Sequence, residues 1–431
     1  MADTSVFTPL FDSDNVRSVN FFNGRLLSGE DMTTQRKADR EERRRLAQAI
    51  GGGVVDGFAV READTSSASN PTVTVSAGLA FDGRGDSIRL ANDAQVSLVA
   101  LRTDATIQQT VDPFISCKPP ETGVYVTGTG VYLLTISRAL GSEGFAPVSG
   151  LGNEMAGCNR RYLVEGVEFR MAQVPLSSSL LSDANLLRNR VAYQCFGSGR
   201  TRSRLSAIFT EPATDDDPLA DMRAKGTIGD CDVPLALISW HTSGIRFVDA
   251  WSVRRRPATG IAGTTGPVID SAAVARAEAR LLQFQSQLAD VVAASTNPAA
   301  LNVRTNFDFL PPAAFLPITG VQEVGTQLRP VTSSAPRALN YETFFGDRMK
   351  APPRVIEGAR VGPLLRESLS CPPIEVNGDQ MFWLFAVREN MQAVERSVAG
   401  AAPYLIVASP HLRYQADARF DVSYWDYANF V

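Results

Sequence analysis

Histidine is almost absent from this chain, and that scarcity excludes most familiar catalytic arrangements. Only His241 and His411 occur in 431 residues. A serine or cysteine nucleophile activated by histidine needs one of these two, beside a carboxylate that only folding brings near. The chain also lacks a GxSxG motif. His241 follows a predicted strand, where a turn residue is the simpler interpretation. We therefore expect a protein that is not an enzyme and has no catalytic residues.

Motifs for nucleotides, disulfides and metals are missing as well. There is no P-loop, and no GxGxxG motif follows a predicted strand. The five cysteines are an odd number, lie tens of residues apart and contain no CxxC pair, so we expect reduced thiols rather than a disulfide framework. Asp215, Asp216 and Asp217 offer oxygen ligands for Ca²⁺ but lack the glycine and distal glutamate of an EF-hand loop. A solvated acidic loop is the simpler interpretation. We expect no metal and no other cofactor.

Charge and hydropathy narrow the range of partners. The net charge of −4 is small for this length and gives no electrostatic case for binding nucleic acid or an anionic membrane. No apolar run approaches the roughly 18 residues that span a bilayer, and the first residues hold no apolar signal segment. We expect assembly in the cytoplasm without membrane insertion. Lysine occurs only four times, so arginine supplies most of the positive charge. Arginine suits ion pairs at interfaces better than lysine.

The first recognisable unit of the chain is a charged helix that is followed by glycines and short strands. Ser28 stands where a helix N-cap belongs, and Asp31 completes a capping box. No Gly or Pro interrupts the next 19 residues, and the glycines at 51–53 end the helix. Acid–base pairs such as Glu41 with Arg45 stand four residues apart. This pattern favours a self-paired solvated helix, or an ion-paired subunit interface, over a nucleic-acid site.

A second long helix is predicted from Ser271 to about Ser295. Its apolar residues recur at alternating intervals of three and four, which is a heptad pattern. They are Val274, Ala277, Leu281, Phe284, Leu288 and Val291. We call this set the heptad seam. A stripe of this kind either packs inside its own chain or joins copies of the chain. We expect it to join copies, which would make the protein a homo-oligomer.

Together these patterns predict a β-rich α+β chain of several domains, with two long helices (about 29–50 and 271–295) and many short strands joined by Pro/Gly loops. A hairpin is predicted from Val233–Trp240 and Ile245–Val248. The predicted division is an N-terminal arm (1–19), a helix-plus-strands attachment module (20–90), a β-rich domain (91–256), a linker (257–270), the heptad helix (271–296) and a Pro-rich C-terminal α+β region (297–431).

Several stretches of the sequence follow a recognisable order. They are FFNGRLLSGEDM, an arginine-rich helix, GGGVVDGFAV, VTVSAGLAFDGRGDSIRL, VYLLTISR, CNRRYLVEGVEF, VPLALISWHTSGIRFVDAWSVRRR, FDFLPPAAFLP and FFGDRMKAPPRVIEGARVGPLLRESLSCPP. In this order the chain resembles a family of baseplate and tail-associated proteins of phage-tail-like contractile injection systems. The stretches touch most of the chain, and they are turn and strand patterns rather than chemical signatures.

The resemblance implies a structural component of an injection particle, in the baseplate or at its fibre or cage attachment. Its partners would be other baseplate, sheath or fibre subunits. Because aromatic residues and arginine dominate protein interfaces, a small set is expected to make assembly contacts, although each is as plausible in a core. The set is Phe21, Phe22, Arg25, Phe344, Phe345 and Trp425. The alternative is a carbohydrate-binding or carbohydrate-cleaving tail-spike or surface protein. Long β-helical repeats would favour that alternative, and the sequence contains none.

Overall fold

The chain has the mixed α+β fold that the sequence predicts, with many strands in several small sheets. The computed structural model describes residues 16–98, 108–109, 129–145, 160–196, 218–258, 271–318, 321–324, 327–330, 338–346, 353–368, 373–378, 383–395 and 404–408, except Ser69, Ser182 and Thr242. The helices are α1 (Gly29–Ile50), α2 (Ser178–Leu181), α3 (Leu187–Cys195), α4 (Pro218–Ala224), α5 (Ser271–Ala294), α6 (Val303–Asn306), α7 (Tyr341–Phe345), α8 (Gly358–Ser368) and α9 (Arg388–Glu395).

The strands are short, apart from one long pair. In the first half of the chain they are β1 (Gly53–Gly57), β2 (Val60–Glu62), β3 (Thr72–Val75), β4 (Gly78–Phe81), β5 (Ser87–Leu90), β6 (Ala94–Ser97), β7 (Gln108–Gln109), β8 (Gly130–Phe145), β9 (Arg160–Gln173), β10 (Val233–His241) and β11 (Gly244–Asp249). The later ones are β12 (Phe309–Leu310), β13 (Ala313–Pro317), β14 (Val321–Val324), β15 (Gln327–Pro330), β16 (Arg354–Ile356), β17 (Ile374–Glu375), β18 (Trp383–Val387) and β19 (Tyr404–Ala408).

Antiparallel pairing dominates the sheets. The N-terminal strands form two three-stranded sheets, β1-β4-β5 and β2-β3-β6. The central sheet runs β11-β10-β8-β7, and β9 pairs with β8 along most of its length. The predicted hairpin is confirmed as β10 and β11. In the C-terminal sheet, β13-β19-β18-β16, the β16–β18 pair is parallel. Two separate strand pairs, β12-β17 and β14-β15, complete the set.

The central sheet is buried on both faces because its strands carry apolar residues at successive positions. On β8, Leu134 and Ile136 join a core with residues of the N-terminal strands, among them Val54 and Val73. The other face packs against α3 and α4 in a second core. The predicted attachment module therefore shares its core with strands of the predicted β-rich domain.

The helix α5 belongs to the C-terminal core. Phe284, Leu288 and Val292 pack there with buried residues of β13, α7, β18 and β19. Polar contacts join the same helix to the central region through α3. Arg188 donates from Nε to Asp249 at 2.7 Å and from Nη1 to Asp290 of α5 at 2.6 Å. Burial alone would lower the pKa of Arg188, but the two carboxylates raise it above its ordinary value. This arginine therefore stays charged and links three elements.

The glycines after α1 end the helix, as predicted, and they also allow another part of the chain to pack closely against them. Gly51 is the C-cap residue, with a φ of +96°. A Cβ at this position would lie 1.9 Å from the carbonyl oxygen of Ala258. Three residues later, the Val54 amide donates to the carbonyl of Arg255 at 2.9 Å. The chain after β11 therefore runs directly against the start of β1, and only glycine leaves room for it.

Cysteine chemistry differs from the expectation of reduced thiols. Cys231, which precedes β10, is disulfide-bonded. Cys195 at the end of α3 is buried and is not in a disulfide. Cys117, Cys158 and Cys371 lie outside the described residues. The prediction was wrong because sequence spacing carries little information about which cysteines a fold brings together.

Candidate interaction surface

Large apolar side chains are exposed in the segment before α1 and in its first turn. Phe22 is 63% exposed and Leu26 is 93% exposed. The full set, which we call the N-terminal apolar surface, is Phe21, Phe22, Leu26, Leu27 and Met32. Single exposed apolar residues are common on proteins, but a group of five within twelve residues is typical of a surface that contacts another molecule.

Arg25 holds this segment in a defined conformation. Its Nη1 donates to the carbonyl of Asn20 at 2.8 Å, and its Nη2 donates to Asp31 Oδ1 at 2.5 Å. The guanidinium carbon lies 5.9 Å from the centre of the Phe22 ring. A turn closes beneath it, where the Arg25 amide donates to the Phe22 carbonyl at 3.2 Å and Gly24 has a φ of +87°. Arg25 therefore lies against the Phe22 ring and connects the segment before α1 to the first turn of the helix.

The predicted capping box is confirmed and anchors the other end of the segment. The Asp31 amide donates to Ser28 Oγ at 3.1 Å, and the Ser28 amide donates to Asp31 Oδ2 at 2.9 Å. The Ser28 amide and the Ser28 hydroxyl, which also donates to Asp31 Oδ2 at 2.9 Å, lower the pKa of Asp31 below its ordinary value, with a smaller contribution from Arg25. Asp31 stays ionised near neutral pH, as both the cap and the pair with Arg25 require.

The helix α1 is attached to the strands chiefly through charge. Ala38 and Ala47 are its only buried residues. Arg40 donates to both oxygens of Asp86 at 3.0 Å, and Arg44 donates to the same carboxylate. Burial would raise the pKa of Asp86, but hydrogen bonds from Arg44 and Arg40 outweigh it and lower the pKa to about 2. A single carboxylate before β5 therefore binds two arginines of the helix.

Asp82 is a second carboxylate in the same turn, and its surroundings are different. Its Oδ1 accepts the Arg84 amide at 3.0 Å and the Asp86 amide at 2.7 Å. Burial raises the pKa of Asp82, and the nearby charge of Asp86 adds to this effect. Asp82 and Asp86 are paired carboxylates, but two backbone amides bind Oδ1 of Asp82 and two arginines bind the oxygens of Asp86. Their geometry explains the shape of the turn and the attachment of the helix.

The candidate assembly contacts divide into exposed and buried residues. Phe21 and Phe22 are exposed, as a contact requires. Phe344 and Phe345 are instead buried in the C-terminal core, with their rings edge-to-face at 5.0 Å. The predicted contact role of this second pair is corrected, because α7 turns both rings into its own chain. Trp425 lies outside the described residues.

The heptad seam packs inside its own chain. Ala277, Phe284 and Leu288 are buried, and Leu281 packs against the same C-terminal core. Val274 and Val291 are half-buried. The Phe284 ring also lies 5.1 Å from that of Phe307. The expectation that this seam joins copies is therefore corrected in favour of the alternative, since its central residues already have apolar partners.

The remaining chemical candidates are few in the described part of the chain. His241 is half-buried and its Nδ1 lies 3.1 Å from Ser243 Oγ within the β10–β11 turn. His411 and Asp215–Asp217 are outside the described residues. Among the residues that are described, no group of three His, Cys, Asp or Glu side chains is placed to hold a metal ion. No described helix has the length and apolar character needed to cross a membrane.

Two features of the site were missed in the sequence. The first is the attachment of α1 to the strands by Arg40 and Arg44. Their spacing of four places both on one face of the helix, which indicated a common partner. Asp86 could not be identified as that partner, because it lies 42 residues beyond Arg44. The second is a group of exposed apolar residues near the end of α1, which includes Leu46 and Ile50. The predicted Glu41–Arg45 pair is confirmed at 3.8 Å.

Comparison with known proteins adds no assignment. The chain matches no protein-family model and no curated protein sequence.

Proposed function

We propose that this protein is a non-enzymatic structural subunit of a phage-tail-like contractile injection system. Its place would be the baseplate or the fibre or cage attachment, where it would contact other baseplate, sheath or fibre subunits. The particle would assemble in the cytoplasm. The identity of the system rests on the sequence resemblance, and the mode of action rests on the N-terminal apolar surface.

The observation that carries the mode of action is the combination of apolar exposure with local order. Phe21 and Phe22 expose large rings, while Arg25 binds the turn beneath them and the first turn of α1. Aromatic side chains with a neighbouring arginine supply much of the binding energy in protein interfaces. A segment that is already ordered loses less conformational entropy when a partner binds. These features support a docking surface for another protein subunit.

The non-enzymatic part of the proposal is supported by what the shifted carboxylates do. Asp86 binds two arginines, and Asp82 accepts two backbone amides. General acid–base catalysis requires a carboxyl group that can reach substrate. Both side chains are buried and have structural partners. No observation on the described residues favours the carbohydrate-cleaving alternative.

The proposal is tested by purifying contractile particles from host cells that produce the tagged chain. We expect the wild-type chain to co-purify with sheath and tube proteins, and we expect the double variant Phe21→Ser/Phe22→Ser to be lost from the particles. A matched control is Leu181→Ser, which changes another exposed apolar residue far along the chain. Equal thermal stability of all three proteins would show that folding is unaffected.

Two outcomes would contradict the proposal. The first is a wild-type chain that is absent from purified particles. The second is cleavage of a surface polysaccharide by the purified chain, which would favour the tail-spike alternative.

A further inference from the structure

The outer side of α1 carries a second regular stripe, and this one is exposed. Leu46 and Ile50 are 69% and 52% exposed, and Met32 is also exposed near the start of the helix. Between them the stripe continues through exposed charged residues. In order it reads Met32, Arg36, Asp39, Arg43, Leu46 and Ile50, at intervals of four, three, four, three and four. Such spacing places all six side chains along one side of a helix.

In the described part of the chain, this stripe lies to one side of the residues that attach the helix. The residues of the helix that are buried or bound to Asp86 are Ala38, Arg40, Arg44 and Ala47. At 3.6 residues per turn, those four residues lie between a sixth and a third of a turn away from the line of Met32 and Ile50. The stripe is therefore a helix side that the described chain leaves uncovered.

The stripe is self-complementary when two copies of it run in opposite directions. When two copies of α1 are placed antiparallel about a two-fold axis, Met32 of one faces Ile50 of the other, and Arg36 faces Leu46. At the centre, Asp39 faces Arg43 of the other copy, and the symmetry repeats that pair. A two-fold interface requires this reciprocity, in which each residue meets a partner that meets it in return. Apolar contacts then lie at the two ends and two ion pairs in the middle.

We propose that the outer stripe of α1 pairs antiparallel with α1 of a second copy of this chain. Charge selects this orientation, because parallel helices in register would set Asp39 against Asp39 and Arg43 against Arg43. Like charges at facing positions disfavour a pairing, and polar residues in a helical seam commonly determine its orientation and register. The long stem of Arg36 covers Leu46 while its guanidinium stays in water.

The size of the surface indicates a weak dimer. The helix is about 33 Å long, and a contact between two such helices falls at the small end of specific protein interfaces. We expect self-association in the micromolar range, which neighbouring subunits in an assembly would strengthen through effective concentration. The pairing concerns the purified chain alone. It does not depend on the proposed function, and either can fail without the other.

Charge reversal tests the pairing by analytical ultracentrifugation of the purified full-length chain. We expect wild type to dimerise, and we expect Asp39→Arg and Arg43→Asp each to weaken dimerisation by at least about tenfold, because each creates two like-charge pairs. The double variant Asp39→Arg/Arg43→Asp should dimerise again. An equimolar mixture of the two single variants should also form a heterodimer, since all the facing charges are then opposite. The matched control is Arg45→Asp, which makes the same charge change about 200° around the helix and should leave the dimer intact.

Cross-linking tests the orientation independently of charge. A mixture of Met32→Cys chains and Ile50→Cys chains should form a disulfide-linked dimer under mild oxidation. Either variant alone should form much less, with wild type as the background for native cysteines. The proposal is overturned if wild type remains monomeric throughout the micromolar range, if the double reversal fails to restore a dimer, or if Met32→Cys cross-links to itself as well as to Ile50→Cys.

Discussion

Arg40 and Asp86 form a bidentate ion pair that joins α1 to the turn before β5, with both N···O distances at 3.0 Å. Arg44 donates to the same carboxylate, and Arg138 of β8 approaches it at 3.9 Å. Because α1 buries only two alanines, this cluster accounts for most of its described attachment to the strands. Asp86 is therefore a main contact through which the strands orient α1 and the N-terminal apolar surface.

Asp86 and Asp82 should respond in opposite ways to the same substitution. We expect Asp86→Asn to destabilise the fold by roughly 3 to 5 kcal/mol, since it removes one partner of a buried pair and leaves the arginines facing an amide. Asp82→Asn should be near neutral or slightly stabilising at pH 7, because it removes a buried charge while its amide oxygen still accepts the two backbone amides. Urea unfolding of both variants measures the contrast. Equal destabilisation would contradict this account of the turn.

The free energy of unfolding should also fall in acid, over the pH range in which Asp86 becomes protonated. Its pKa is about 2 in the folded protein against an ordinary value of 3.8, so its charge stabilises the fold above about pH 4 and that contribution is lost toward pH 2. Asp82 has the opposite sign, because its pKa is raised and protonation relieves its buried charge. The difference in unfolding free energy between wild type and Asp86→Asn should therefore shrink as pH falls through this range. A difference that is independent of pH would contradict the prediction.

Gly57 and Gly226 have nearly the same backbone conformation but different surroundings. Replacing each with alanine therefore distinguishes the cost of backbone strain from the cost of a steric clash. Gly57 has a φ of +65° and Gly226 a φ of +71°. A Cβ on Gly57 would lie 1.9 Å from the Ala77 carbonyl oxygen, whereas nothing lies within 4 Å of one on Gly226. We expect Gly226→Ala to cost about 1 kcal/mol and Gly57→Ala about 3 kcal/mol or more, as measured by thermal melts. Similar costs for both would show that backbone strain alone matters.

The heptad seam should be needed for folding and not for association. Leu288→Asp places a charge in the C-terminal core and should abolish its cooperative unfolding transition. Ala293→Asp changes an exposed residue in the last turn of the same helix and should cost about 1 kcal/mol, through lower helix propensity and the helix dipole, without loss of folding. Calorimetry follows folding, and light scattering follows the oligomeric state. A folded Leu288→Asp variant that has lost a wild-type oligomer would restore the original interpretation of the seam.

The cysteines make a simple chemical prediction. Alkylation of denatured protein without reductant should label Cys195 and leave Cys231 unlabelled until reductant is added. Replacing Cys231 with Ser should cost about 2 to 4 kcal/mol, since a disulfide restricts the unfolded chain. Peptide mass spectrometry reads the labelling directly. Full labelling of Cys231 before reduction would contradict the disulfide.

Local structure was the part that the sequence predicted best. The capping box at Ser28 and Asp31, the helix stop at Gly51 and the β10–β11 hairpin all follow from residues a few positions apart. Such features depend on backbone preferences and on neighbouring side chains, which sequence spacing represents directly. The Asp86 cluster, the Cys231 disulfide and the approach of Ala258 to Gly51 join distant segments. No local pattern specifies them.

By itself, the sequence determined that the chain is mixed α+β and where α1 begins and ends. Only the tertiary structure decided which stripes and rings are covered. The stripes of α1 and α5 share the same alternating spacing, yet the α5 seam packs into the C-terminal core while the outer stripe of α1 stays exposed. In the same way, Phe344 and Phe345 are buried, whereas Phe21 and Phe22 are exposed. Periodicity determines which residues share a face, but burial of that face depends on the distant strands and helices that pack against it.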